Sequence, residues 1–127
     1  MTFCTAINCI DGRTQLPVID HLKRRFSVKY VDMITEPGPV AVLSSDPDSS
    51  TSVSIFRRVD ISMSAHNSTA IAIVAHHDCA GNPVDESEQR QQLETCLRIL
   101  KKKYRDAEVI GLWVDQSWWV SEVKSGK

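Results

Sequence analysis

The sequence predicts a single small α/β domain with a mostly parallel central sheet flanked by helices, and two observations carry this prediction. First, four short apolar runs have the length and the β-branched content of buried strands. These runs are Phe3–Ile10, Val28–Thr35, Ala70–Ala75 and Ala107–Val114. Second, segments with helical spacing separate the runs, and this alternation is typical of parallel sheets. The chain of 127 residues is expected to form one domain, 1–127, with its own core.

A helix and a second strand are expected after the first strand. Thr14 can cap the helix, and Pro17 is tolerated in its first turn, where backbone N–H groups lack helical partners. The apolar residues with helical spacing are Leu16, Ile19, Leu22 and Phe26. The second strand ends at Glu36–Pro39, a run that breaks regular structure and predicts a loop at the end of the strand.

The centre of the chain is expected to be a surface loop followed by another helix. Residues 44–54 are rich in serine and include Pro47, a composition typical of mobile loops. The apolar residues that share one helical face are Val53, Phe56, Val59 and Met63. This helix should end near His66–Asn67, shortly before the third strand.

The second half of the chain adds the longest helix between the third and fourth strands. Gly81–Pro83 turns the chain, and Asp85 or Ser87 can cap this helix. Its apolar stripe consists of Leu93, Cys96, Leu97, Leu100 and Tyr104. Lys101–Lys103 occupies the last turn, where cations favour the helix dipole. After the fourth strand, Ser117–Val123 forms either a short edge strand or a tail.

Composition excludes several classes of partner. The net charge of −1 gives no basic field for nucleic acid and no attraction to a membrane surface. No apolar run approaches the roughly 18 residues of a spanning helix, and no signal-peptide pattern is expected at the N-terminus. Four cysteines without secretory context indicate a reducing compartment, where thiols bind metals or pack in cores. The expected location is therefore the cytoplasm.

Two clusters of metal-binding residue types lie at the ends of the first and third apolar runs. Cys9, His76 and Cys79 offer two thiolates and an imidazole, a set that suits zinc and leaves a fourth position open. Asp11 and Arg13 follow Cys9 closely and can form a charge-assisted pair beside the metal. The two strands are therefore expected to share one site.

The other cysteines and histidines are better explained without a metal. Cys4 should face away from Cys9 because the residues have opposite strand parity, and Cys96 lies on an apolar helix stripe. His77 competes with His76 as a ligand, and the spacing to Cys79 favours His76. The tryptophans Trp113, Trp118 and Trp119 are expected in the core or at an interface.

The pattern Cys-x-Asp-x-Arg, followed much later by His-x-x-Cys, resembles the β-class carbonic anhydrases. The matching residues are Cys9, Asp11, Arg13, His76 and Cys79, and the resemblance extends from the first strand to Gly111–Asp115. It implies a small, trimmed member of the family with strand order 2-1-3-4. Strands 1 and 3 then meet at a topological switch point, with both clusters at their carboxyl ends.

The resemblance also implies a function and a set of roles. A zinc-bound hydroxide would attack CO₂ and give bicarbonate, which is the reaction of a carbonate dehydratase, a zinc lyase. Asp11 would orient the nucleophile or accept its proton, while Arg13 holds Asp11 away from the metal. In part of the family the aspartate itself occupies the fourth position, so Asp11 is also a candidate ligand. The implied assembly is a homodimer or a larger homo-oligomer.

Two departures from the family pattern leave alternatives open. Ile34–Pro39 stands where the family usually has Arg-Asn-Ala-Gly-Asn, and Ala80 replaces the glycine that usually follows the second metal-binding cysteine. One alternative is therefore a hydrolase of a CO₂-like molecule such as COS or CS₂. The other is a non-catalytic zinc-binding protein in which Asp11 closes the site.

Overall fold

A sheet of five strands runs through the computed structural model of the chain, which describes residues 1–124. The strands are β1 (Phe3–Asn8), β2 (Tyr30–Thr35), β3 (Ala70–His76), β4 (Glu108–Val114) and β5 (Val120–Val123). They are arranged in the order β2-β1-β3-β4-β5, with the first four parallel and β5 antiparallel to β4. The predicted α/β class and the order 2-1-3-4 are confirmed, and β5 extends that order at one edge.

Helices cover both faces of the sheet. They are α1 (Gln15–Phe26), α2 (Pro39–Ser45), α3 (Ser50–His66) and α4 (Glu86–Lys103), and a short 3₁₀ turn, Gly12–Thr14, precedes α1. Helix α1 packs through Val18 and Leu22 on one face, whereas α2, α3 and α4 pack together on the other. Within residues 1–124, no helix combines the length and the apolar character that crossing a membrane requires.

The serine-rich segment is mostly helical, which corrects the loop predicted for residues 44–54. Helix α2 ends at Ser45 and α3 begins at Ser50. The Ser49 hydroxyl accepts a hydrogen bond from the backbone N–H of Ser52 at 3.1 Å and thereby caps α3. The buried Ser52 hydroxyl donates to the carbonyl of Asp46 at 2.8 Å. These serines therefore satisfy backbone groups at a helix junction instead of forming a solvated loop.

Two apolar residues assigned to helix stripes lie in solvent. Leu16 is 71% exposed and Val53 is 52% exposed, because the buried face of each helix is centred on other positions. In α1 the buried residues are Val18 and Leu22. Single exposed apolar residues are common on protein surfaces, so the helix assignments themselves are unaffected.

The two remaining cysteines lie in the core, as predicted. Cys4 is fully buried on the α1 face of β1, together with Val18 and Leu22. Cys96 is fully buried on the opposite side of the sheet, and its sulfur is 3.4 Å from the carbonyl oxygen of Val40. Neither cysteine belongs to the cluster at the carboxyl ends of the strands.

The carboxyl ends of β1 and β3 lie side by side at the centre of the sheet. The strands pair in register from Thr5–Ile71 to Ile7–Ile73. Beyond β1 the chain enters α1 on one face, and beyond β3 it enters α4 on the other. This divergence opens a crevice at the switch point, where α/β folds commonly bind ligands.

Candidate metal centre

Cys9, His76 and Cys79 meet in this crevice. One ligand atom from each residue lies within 4.8 Å of the ligand atoms of the other two, and the sulfurs of Cys9 and Cys79 are 3.8 Å apart. All three residues are buried, with 2%, 1% and 5% of their surface exposed, respectively. His76, and not the exposed His77, supplies the imidazole.

The His76 ring is oriented so that one nitrogen faces the cluster without a partner. Its Nδ1 lies 2.7 Å from the carbonyl oxygen of His77, so Nδ1–H donates there and Nε2 carries a free lone pair. Nε2 is buried and has no hydrogen-bond partner. A buried, unpaired acceptor is costly, and a metal ion would satisfy it. The side-chain amide of Gln89 further fixes this strand end by donating to the His76 carbonyl at 2.9 Å.

The two thiols differ in their acidity because they share a hydrogen bond. Donation from the Cys79 thiol holds the pKa of Cys9 well below its usual range, and the backbone N–H groups of Gly38 and Asp11 act in the same direction. The same contact raises the pKa of Cys79. Zinc would take both sulfurs as thiolates, and the shared hydrogen bond favours Cys9 as the first of the two to lose its proton. Together with the free imidazole nitrogen, this donor set fits zinc.

Asp11 lies beside the cluster and is held by Arg13. The guanidinium donates from Nη2 to Oδ2 at 2.7 Å and from Nε to Oδ1 at 3.0 Å. This hydrogen bonding lowers the pKa of the Asp11 carboxyl to about 2. Among residues 1–124, Asp11 is not part of the group whose ligand atoms converge. The carboxylate is thus adjacent to the candidate site and directed to its arginine partner.

Two residues that had no predicted role also contact Arg13. Asp78 accepts from Nη1 through its carboxylate at 3.3 Å and from Nη2 through its carbonyl at 3.1 Å. The ring of Trp118 lies 4.5 Å from the guanidinium carbon. Asp78 could have been noticed because it lies inside the His-x-x-Cys motif. Trp118 carries no such signal, since only the β4–β5 connection brings it to this place.

A family model described as "Putative carbonic anhydrase" matches residues 1–124. The chain belongs to this carbonic anhydrase family. No curated protein sequence matches the chain significantly.

Solved β-carbonic anhydrases share the fold of this family member. A tetrameric enzyme from Sordaria macrospora aligns with a TM-score of 0.65 and 13% identity over 94% of this chain and 79% of its own. CafA from Aspergillus fumigatus aligns with a TM-score of 0.64 and 12% identity over 98% and 76% of the two chains. The carbonic anhydrase of Glaciozyma antarctica aligns with a TM-score of 0.60 and 12% identity over 94% of this chain and 81% of its own. At these identities the likeness establishes the fold alone.

Two loops meet beside the thiols at a pair of glycines. Gly38 follows β2 with φ +55°, and a Cβ on it would lie 2.7 Å from the carbonyl oxygen of Gly81. A Cβ on Gly81 would lie 2.8 Å from the backbone of Pro37. Because backbone atoms cannot move aside, both positions require glycine. The close approach brings the backbone N–H of Gly38 to Cys9 and those of Gly81 and Asn82 to Cys79.

A cavity of about 480 Å³ opens beside Cys79. Its lining includes His77, Ala80, Val84, Gln89 and Trp113. The wall also includes Pro83 and three carboxylates, those of Asp78, Asp85 and Glu86, so apolar and acidic side chains face the same space.

Proposed function

We propose that the protein hydrates CO₂ to bicarbonate with zinc held by Cys9, His76 and Cys79. The observation that carries this proposal is the unpaired, buried Nε2 of His76 beside two buried sulfurs, all within 4.8 Å. Family membership supports the same reaction. Zinc bound by this set would supply Lewis acidity that lowers the pKa of a water molecule at a fourth position.

The residues around that position have distinct tasks. Asp11 accepts a hydrogen bond from the attacking water and orients it through Oδ2, which takes one short bond from Arg13 Nη2 at 2.7 Å and only shares the Nε–H with Oδ1. Oδ1 already accepts from the backbone N–H and the Nε–H of Arg13. With its pKa near 2, Asp11 is ionised at neutral pH and is a poor store for a proton. Asp11 therefore orients the nucleophile, and the released proton passes on to solvent. Arg13 keeps the carboxylate directed toward this task.

The pairing of Asp11 with Arg13 favours an open, catalytic metal site over a structural site that Asp11 closes. A carboxylate that is held through both oxygens by Arg13 must lose that pairing before it can ligate the metal. The departure from the family pattern at Ile34–Pro39 keeps one alternative reaction open, namely hydrolysis of COS or CS₂ at the same site. Both molecules are linear triatomics that the same activated water can attack.

We also propose that the protein forms a homodimer or a larger homo-oligomer. Ile10, Leu16 and Trp119 are 62%, 71% and 75% exposed, and a partner subunit could cover such apolar side chains. The related Sordaria macrospora enzyme is described as tetrameric. Sedimentation of the protein should show a dimer or larger species at micromolar concentration, and a purely monomeric species would reject the proposal. The cytoplasmic location stays a prediction.

Stopped-flow measurement of CO₂ hydration on protein of confirmed zinc content tests the main proposal. The zinc-loaded protein should accelerate hydration well above the buffer rate, and removal of zinc with a chelator should abolish the acceleration. A measurement of COS hydrolysis by the same preparation tests the alternative substrate. The assays should cover roughly pH 7 to 9, the range around the pKa expected for a zinc-bound water. Protein that carries its full zinc content but shows neither activity in this range would reject the proposal that it is an enzyme.

A further inference from the structure

The guanidinium of Arg13 is held from three directions. Asp11 binds one edge, Asp78 binds the other, and the ring of Trp118 covers a face at 4.5 Å. The Arg13 side chain is nonetheless 47% exposed. Water therefore competes with the two carboxylates for the N–H groups of Arg13. The aromatic face therefore adds a restraint that the two carboxylates alone do not give.

Trp118 occupies a backbone position that an aromatic residue rarely takes. Its N–H donates to the carbonyl of Asp115 at 2.9 Å, and Asp115 N–H donates to the carbonyl of Trp119 at 3.0 Å. Residues 116–118 thus form the loop of a tight hairpin between β4 and β5, and Trp118 closes it with φ +64°. Glycine or asparagine normally fills the left-handed position of such a loop. A bulky residue there is strained, and strain of this kind often accompanies function.

The hairpin is built to hold Trp118 in spite of that strain. The Asp115 carboxylate accepts hydrogen bonds from the backbone N–H of Ser117 at 2.9 Å and of Trp119 at 3.0 Å. These two bonds fix the loop on both sides of Trp118. The ring is thereby directed to Arg13, while the neighbouring Trp119 points into solvent and is 75% exposed.

We propose that Trp118 is a positioning residue of the metal centre. Its ring holds the guanidinium of Arg13 in place, so that Arg13 keeps the Asp11 carboxylate away from the fourth metal position. Asp78 assists from the other edge of the guanidinium. The β4–β5 hairpin thus governs how often Asp11 is released toward the metal. This regulatory role rests on the proposed function of the site, whereas the hold on Arg13 does not.

Solvent exchange of the Arg13 Nε–H in the zinc-loaded full chain, followed by NMR, measures this hold directly. Its signal is assigned by its absence in Arg13→Lys. Trp118→Ala should speed exchange about two- to fivefold, the equilibrium factor of a cation–π contact at a partly exposed site. Trp118→Phe keeps a ring and should stay near the wild-type rate. Trp119→Ala is the matched control, and it should leave the exchange rate unchanged.

A glycine variant separates positioning from stability. Trp118→Gly removes the ring and also relieves the left-handed backbone, so it should melt no lower than Trp118→Ala. Both variants should nevertheless show the same increase in the solvent-exchange rate of the Arg13 Nε–H. If Trp118→Ala and Trp118→Gly exchange at the wild-type rate, or if Trp118→Phe exchanges as fast as Trp118→Ala, the proposal is overturned.

The consequence for the metal is measured by the rate at which a chelator removes zinc. Trp118→Ala should slow zinc removal measurably, although by less than the roughly two- to fivefold rise in Asp11 release, because Asp11 then reaches the metal more often but the open state still dominates. The same substitution in an Asp11→Ala background should have no effect on that rate, and a persisting effect would overturn the link through Asp11. Wild-type protein without CO₂ hydration would refute the proposed function, while the exchange rates would still decide the role of Trp118.

Discussion

Nη2 of Arg13 lies 2.7 Å from Oδ2 of Asp11, and in the proposed mechanism this contact decides between two states of the centre. While the pair is intact, the carboxylate is engaged and a fourth position on the proposed zinc would be free for water. If the pair opens, Asp11 would be able to occupy that position itself, since it lies only two residues from the proposed ligand Cys9. The first predictions therefore concern these two side chains.

Arg13→Ala should abolish most CO₂ hydration while zinc stays bound. Without the guanidinium, Asp11 is free to ligate the metal and exclude water. The loss should be on the order of 100-fold, as is common when a reacting group is displaced. Stopped-flow rates and zinc content measured on one preparation test this. An unaltered rate in Arg13→Ala would show that Arg13 does not control Asp11.

Asp11→Ala should keep zinc on the three remaining ligands and lower hydration by about 100-fold, since the attacking water loses its orienting acceptor. If the site is closed and structural, the same substitution removes a ligand and weakens zinc binding instead. Zinc affinity from competition with a chelator distinguishes the outcomes. Wild-type affinity supports the open site, and strongly reduced affinity supports the closed one.

Cys79→Ser should lose most of the zinc from a protein that otherwise carries about one ion per chain. Loss of a ligand should lower the zinc affinity by more than the roughly 10- to 100-fold that is typical when a residue that only orients a ligand is replaced. Cys96→Ala is the matched control, because that thiol is buried in the core away from the site. Elemental analysis of both variants gives the comparison. Full zinc retention by Cys9→Ser and Cys79→Ser alike would refute the ligand assignment.

Cys4 and Cys96 should resist alkylation in the native protein. Burial raises the pKa of Cys4 to about 11 and that of Cys96 to about 12. At pH 8 at most about 0.1% of either thiol is ionised, and this fraction rises tenfold per pH unit below the pKa. Mass spectrometry after iodoacetamide treatment should find both unmodified at pH 8. Rapid labelling of either one in folded protein would contradict its buried placement.

Gly81→Ala should destabilise the protein by about 2 kcal/mol, the usual cost of overpacking, because the added Cβ meets the backbone of Pro37 at 2.8 Å. Gly12→Ala is the matched control, since a Cβ there has no neighbour within 4 Å. Denaturant unfolding of the two zinc-loaded variants gives the difference. Equal stability of both would show that the two loops can separate without cost.

The fold was largely predictable because the three central strands, β1, β3 and β4, are buried along most of their length. β3 is buried at every position, so its apolar run is continuous and unmistakable. The helix α2 was missed because Pro39 was interpreted only as a breaker, although proline also begins helices. The start of α3 was missed because serine composition does not reveal whether hydroxyls face water or cap backbone groups.

The ligand types at the site were predictable from spacing, but the surroundings were not. Cys9 and the His76–Cys79 motif follow two strands whose neighbouring positions the α/β pattern and the family resemblance imply. The contact of Trp118 with Arg13 depends on the path of a hairpin loop and on a left-handed backbone angle. Neither has a periodic signature in the sequence, so only the three-dimensional arrangement shows them.

The glycine pair also limits how this protein can diverge. Gly38 and Gly81 come from loops that follow different strands, β2 and β3. A side chain at either position would push the two loops apart at the place where their backbone N–H groups reach Cys9 and Cys79. During evolution, or in a redesign of these loops, neither position can accept a side chain unless the backbone of the other loop shifts. Sequence change is therefore expected around the point of contact and not at it.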